Sequence, residues 1–150
     1  MLFAVHAAKV VPVSPQDCKA LDRSSSGGAV DCYAAIAAAI SSCQERPDHE
    51  TACSVELAPG NYTVRCPPQS NGAYIYPLGA PGAAAIDLSN STNIIFGGAP
   101  TVDVNGAAVR IEVDYLHGGC PAVAAARATN LVVANVELDT VRLPFTSVTV

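Results

Sequence analysis

The sequence predicts an all-β chain of short stacked strands, a solenoid, closed at its N-terminal end by one α-helix. Three observations carry that expectation. The alanine-rich run DCYAAIAAAISSC has helical periodicity, and no second run of similar quality follows it. After Cys53 the apolar period changes to two, and strands of three to seven residues recur, separated by turns rich in Asn, Ser, Gly and Thr. Finally, Ser91-Thr92-Asn93-Ile94-Ile95-Phe96 matches Ala128-Thr129-Asn130-Leu131-Val132-Val133 at an offset of 37 residues. Each copy follows a short apolar strand and a polar turn, as coils of a repeating stack do.

The composition bounds the function. With 150 residues the chain can bury one real core. Half of its residues are hydrophobic and 14% are charged, which is too apolar for a disordered chain. Net charge is −5 and no basic residues cluster, which excludes a nucleic-acid partner. No apolar window approaches the length of a membrane span. The chain is expected to be monomeric.

Residues 1–26 read as a leader or extended segment, and residues 27–150 as the cap and first coils. The start, MLFAVHAAKVVPV, reads equally as a signal-peptide remnant or a leading strand. Residues 14–30, rich in Ser, Gly and Pro, read as loop. Asp31 is placed to cap a helix, because its carboxylate can accept from an unpaired backbone N–H. The helix is expected over Cys32–Cys43, with Tyr33, Ile36, Ala37 and Ile40 in one apolar stripe. So few charges do not suit a fully solvated helix. Laid across the end of a strand stack, it would cover exposed apolar side chains and open backbone edges.

Residues 44–52 form a polar loop bracketed by Cys43 and Cys53. Strands Val55/Leu57 and Tyr62/Val64 flank a turn at Ala58-Pro59-Gly60-Asn61. The Pro- and Gly-rich stretch 66–84 reads as loop with a short strand at Tyr74–Tyr76. Further strands are expected at Ala85–Leu88, Asn93–Phe96, Thr101–Val104, Val109–Tyr115, Ala122–Ala125, Asn130–Ala134 and Val136–Leu138.

The six cysteines show neither C-x-x-C nor Cys/His spacing for zinc, which argues for disulfides. Cys43 and Cys53 are the candidates, although six cysteines allow 15 connectivities. Asn61-Tyr62-Thr63 and Asn90-Ser91-Thr92 are glycosylation acceptors at expected turns. Together these features predict an oxidising, secretory route to the extracellular space.

Taken in order, AVDCYAAIAAAISSC, SVELAPGNYTV and AIDLSNSTNIIFGG resemble the start of right-handed parallel β-helix proteins of the pectate lyase superfamily, which includes polygalacturonase-like hydrolases. Asp31, Ala35, Ile36, Ala39, Ile40 and Cys43 match that family's capping helix. Pro59, Gly60 and Tyr62 match its following turn, and Thr92 to Gly97 its T-N-I-x-I-x-G strand. The resemblance spans about residues 27–143. It implies an N-terminal capping α-helix and an extended, pectin-like polysaccharide bound along the flank of the solenoid, with lysis or hydrolysis in the full-length parent. The hydrolase motifs N-T-D, D-D and G-H-G are missing, so no catalytic residue is assigned. Calcium would be implied only for a lyase, and no metal site is assigned. The chain closes on TSVTV, a strand pattern without a cap, and is expected to be an incomplete solenoid.

Candidate substrate-binding residues are Glu112, Asp114, Asp139 and Arg142. Arg110, Glu112 and Asp114 alternate with Val109, Ile111 and Val113, so the charged trio is expected to point outward. A solvated outer face is the plainer reading of that trio. Asp139 and Arg142 lie in VELDTVRLPFT, where Pro144 stops ladder pairing and a structural turn is the plainer reading. His117, in DYLHGGC, reads as a loop histidine, and His6 and His49 carry less signal still. Asn93 and Asn130 occupy equivalent repeat positions, where asparagines can hydrogen-bond along a stack. Two rivals remain: a non-catalytic β-solenoid for glycan binding or cell-surface structure, and a small disulfide-bonded β-sandwich, which would show antiparallel sheets.

Overall fold

The computed structural model describes residues 9–20, 30–65, 84–99, 108–114 and 120–140. The expected strands at Tyr74–Tyr76 and Thr101–Val104, together with Arg142, Pro144, His6 and His117, lie outside them. So do most of the leader and the first and last residues of the chain.

Among the described residues there are eleven strands and one α-helix. In order they are β1 (Lys9–Val13), β2 (Lys19–Ala20), β3 (Val30–Asp31), α1 (Tyr33–Gln44), β4 (Cys53–Leu57), β5 (Gly60–Arg65), β6 (Ile86–Asp87), β7 (Thr92–Gly98), β8 (Val109–Asp114), β9 (Val123–Ala124), β10 (Thr129–Ala134) and β11 (Val136–Thr140). Three sheets are parallel throughout, with strand orders β1-β4-β7-β10, β11-β8-β5 and β6-β9. The antiparallel sandwich is thereby excluded. Only β2 and β3 pair antiparallel.

The repeat read from the sequence is a register of hydrogen bonds. Thr129 faces Thr92, Leu131 faces Ile94 and Val133 faces Phe96. The neighbouring sheet keeps the same offset of 37, with Ile86 opposite Val123. The connecting turns pair as well, since Leu88 N donates to Ala124 O and Asn90 N to Ala126 O. Asn93 and Asn130 both adopt φ near +52°, a left-handed conformation that asparagine tolerates. Asn130 Nδ2 donates to Asn93 Oδ1 at 3.0 Å, and Asn93 Nδ2 in turn reaches His49 O in the polar loop. The two asparagines therefore stack, as their equivalent positions predict.

Alternation decides what faces the core. Val55, Leu57, Tyr62, Val64, Ile94, Phe96, Ile111 and Val113 are all buried. They meet Ile36, Ala39, Ile40 and Cys43 of α1 in one cluster. The buried helical face is thus shifted from the expected stripe: Tyr33 and Ala37 stand at its margin, while Ala39 and Cys43 enter it. Those small side chains let α1 lie close across β1, β4, β5 and β6.

Both helix ends are tied down. Cys32 is the N-cap residue and supplies no side-chain cap. Asp31, one residue earlier than the usual capping position, accepts from Tyr33 N at 3.0 Å and from Arg65 N at 3.2 Å. The same carboxylate therefore joins the helix start to the end of β5. At the other end Arg46 is buried, and its guanidinium donates to Cys43 O of α1, Thr51 O of the polar loop, and Thr92 O and Asn93 O of β7. A cation here also opposes the partial negative charge of a helix C-terminus.

Cys43 and Cys53 are bonded, as are Cys18 and Cys32. Cys120 is disulfide-bonded too. In the expected loop 14–30, the Cys18–Cys32 bridge continues the β2–β3 ladder by one rung, because Lys19 faces Asp31. That explains two strands too short to leave a periodic signal.

Tyr62 is fully buried, and its hydroxyl faces Ala58 O at 2.7 Å and Val13 O at 3.1 Å. Burial foremost, then the charge of Asp17, pushes its pKa up to about 12. The neutral phenol is the form the fold stabilises. That stability is present below pH 10, the ordinary tyrosine value, and is lost as pH rises towards 12. Alkaline unfolding is therefore expected in that window, costing about 2–3 kcal/mol from this group. In Tyr62→Phe the window is expected to vanish, at a cost of about 1 kcal/mol near neutrality from the unpaired carbonyls. Circular dichroism against pH for both proteins measures this, and an alkaline transition unchanged by the substitution overturns it.

The two ends of the stack differ. At one, β1 carries Pro12, which cannot donate to a further strand, and Lys9 Nζ donates to Ser42 O of α1. At the other, β9, β10 and β11 are all edge strands among the described residues. There Val133 and Leu138 are 43% and 45% exposed, while their partners one layer in, Phe96 and Ile111, are 1% and 0%.

Candidate functional site: a charged ladder on one sheet face

The β5–β8–β11 sheet carries the candidate site. Along β8, Val109, Ile111 and Val113 turn inward and are buried, which leaves Arg110 and Glu112 on the outer face. Parallel register places Glu137 beside Arg110 and Asp139 beside Glu112 on one flank. On the other flank stand Asn61 and Thr63. Rungs of such a ladder lie about 4.8 Å apart.

Arg110 is the hub. Its Nε lies 3.2 Å from Glu112 Oε1, one terminal nitrogen 3.9 Å from Glu137 Oε1, and the other hydrogen-bonds Asp139 Oδ2. Asp139 Oδ1 also accepts from Thr140 N at 2.7 Å. All four side chains are partly exposed, so the cluster can meet a ligand from solvent. Three carboxylates surround one guanidinium, which gives the patch an excess of two negative charges.

Sequence-predicted residues separate at this point. Glu112 and Asp139 come together, linked through Arg110. Asp114 does not join them. It was expected to point outward, yet it is 4% exposed, with Oδ2 3.2 Å from Arg65 Nε. Arg65 faces it in register across the β5–β8 ladder, and both side chains are largely buried. Asp139 is in a strand where a turn was the plainer reading, because pairing with β8 continues to Thr140. Arg142 lies outside the described residues. Glu137 was missed, although the alternation VELDT against VRIEVD carries the signal.

The set does not suit a divalent cation. The guanidinium already occupies the space the three carboxylates share, and among the described residues no group of His, Cys, Asp or Glu converges as ligands. Glu112, Glu137, Asp139, Asn61 and Thr63 together offer a line of hydrogen-bonding groups along the face.

Comparison with protein-family models, curated proteins and solved structures finds no match for this chain. The resemblance to the pectate lyase superfamily therefore rests on the chain's own residues.

Proposed function

We propose that these residues are the cap and first coils of a secreted, carbohydrate-active right-handed parallel β-helix protein that binds an extended, pectin-like polysaccharide across the β5–β8–β11 face. The observation that supports this best is the order of strands. β6, β7 and β8 pair in parallel with β9, β10 and β11 respectively, as consecutive coils of a solenoid would. Parallel connections within one sheet are overwhelmingly right-handed, which favours that hand. The disulfides fit an extracellular protein, and among the described residues no helix is long and apolar enough to cross a membrane.

The charge of the face refines the ligand. An excess of carboxylates repels a polyanion, so a methyl-esterified stretch suits it better than free polygalacturonate. The pairing of Glu112, Glu137 and Asp139 with one arginine favours binding over turnover, which is the non-catalytic reading.

The test is affinity electrophoresis and calorimetry on both polymers. Binding to the esterified polymer is expected to be at least several-fold tighter, and Arg110→Ala to weaken it about tenfold, the equivalent of one charged hydrogen bond. Neither polymer is expected to be cleaved by this chain. Equal binding by Arg110→Ala would remove the face from the proposal, and release of new chain ends would overturn the non-catalytic reading.

A further inference from the structure

A groove of about 280 Å³ runs between α1 and the β6 segment with its turn. One wall is the half-exposed side of the helix: Tyr33, Ala37, Ser41 and Gln44, spaced so that they share one face. From Tyr33 to Gln44 that wall is about 16 Å long. The opposite wall carries Asp87 and, at the end near Gln44, Asn90. The turn is held there by Gln44 Nε2, which donates to Ser89 O at 3.0 Å and Ser91 Oγ at 3.1 Å.

Asn90 is also the first residue of an acceptor triplet, Asn90-Ser91-Thr92. It is exposed, sits at φ +59°, and its backbone N–H is used in the ladder to Ala126 O. The ladder thus holds Asn90 through its backbone. Ser91, in contrast, is fully buried. A sugar attached at Asn90 would start at the mouth of a ready-made trough. The helical wall beside it is small at Ala37 and polar at Ser41, Ile36, Ile40 and Ile86 line the groove with apolar surface, and an aromatic ring closes its far end at Tyr33. Tyr33 is half-buried, and its phenol pKa is raised by burial first, then by Asp87 and Asp31. Aromatic rings with carboxylates and amides alongside are general partners for the apolar faces and hydroxyls of pyranoses.

We propose that Asn90 carries an N-linked glycan whose first two N-acetylhexosamine rings lie in this groove and fasten α1 to the stack. The inference rests on the secretory reading above. Attachment forms a bond from C1 of the first sugar to Asn90 Nδ2. The bond from C1 to the pyrophosphate of a polyprenyl-linked oligosaccharide breaks, the amide loses one proton, and polyprenyl pyrophosphate leaves. Because Asn90 N and Ser91 O are locked in the folded ladder, attachment precedes folding. The second acceptor, Asn61, is exposed beside Arg110 on the outer face of the β5–β8–β11 sheet. A glycan there would instead stand over the charged ladder.

The experiment uses the full chain exported from a eukaryotic host, with intact mass before and after glycan removal and disulfide mapping without reduction. Asn90 is expected to be occupied. The glycosylated protein is expected to melt about 2–4 °C above Asn90→Gln, and amides of α1 to exchange more slowly. Tyr33→Ala is expected to abolish most of that difference, while Asn61→Gln leaves it intact. An unmodified Asn90 in exported protein with Cys43–Cys53 formed overturns the inference and leaves the secretory reading standing. Unbridged cysteines overturn both. An occupied Asn90 with no difference in melting or exchange shows that the glycan projects into solvent, and likewise overturns it.

Discussion

Gly97→Ala is expected to lower the thermal unfolding midpoint by about 10 °C. Gly97 has φ +144°, a conformation closed to residues with a side chain. A methyl group built there would lie 1.8 Å from the carbonyl oxygen of Ala134 and 2.9 Å from its carbonyl carbon. Both are backbone atoms of β10, so no side-chain rotation relieves the collision. Either Gly97 leaves its backbone conformation or β10 leaves the ladder. The first costs about 1–3 kcal/mol, and the second leaves buried amide groups unpaired at about 1–3 kcal/mol each. A loss of about 3–4 kcal/mol converts to roughly 10 °C for a chain of this size. Differential scanning calorimetry of the purified variant measures it. A midpoint within 2 °C of the parent would mean that β7 and β10 do not meet at this rung.

Arg46→Met is expected to cost about 3 kcal/mol. The substitution keeps the apolar stem but removes the donors that gather four backbone carbonyls from α1, the polar loop and β7. Those oxygens lie under a buried residue, so water replaces the lost partner poorly. Arg46→Lys is expected to recover less than half of the loss. An ammonium is a point charge on a flexible stem and cannot span carbonyls that the planar fork reaches together. Urea denaturation of the three proteins tests this, and equal stability of the lysine variant would overturn the geometric argument.

Much of this architecture was legible because it is periodic. The helix needed only the spacing of Ile36 and Ile40 and a run of small residues, and its observed bounds differ by one residue at each end. β7 and β10 betrayed their pairing through a shared Thr-Asn at a fixed offset, since the parallel register sets like beside like. Asp31 was read as a helix-starting carboxylate, which it is, but from outside the cap position and with a second duty towards Arg65.

What escaped was non-periodic. β2 and β3 owe their pairing to the adjoining Cys18–Cys32 bridge, and no local pattern encodes a partner 14 residues away. Alternation within β8 placed Asp114 on the solvated side, yet it is buried. It could not reveal that Arg65 would meet Asp114 across the ladder and take it out of solvent. The charged hub was hidden for the same reason. Arg110, Glu112, Glu137 and Asp139 belong to two strands 27 residues apart in register, an offset different from the 37 that the Thr-Asn repeat announces.

The unequal ends give the molecule a direction. Among the described residues, Pro12, Lys9 and α1 cover the β1 edge, whereas β9, β10 and β11 each have a pairing partner on one side only. With Val133 and Leu138 exposed along it, that second edge is the one at which the molecule would stick to a foreign strand.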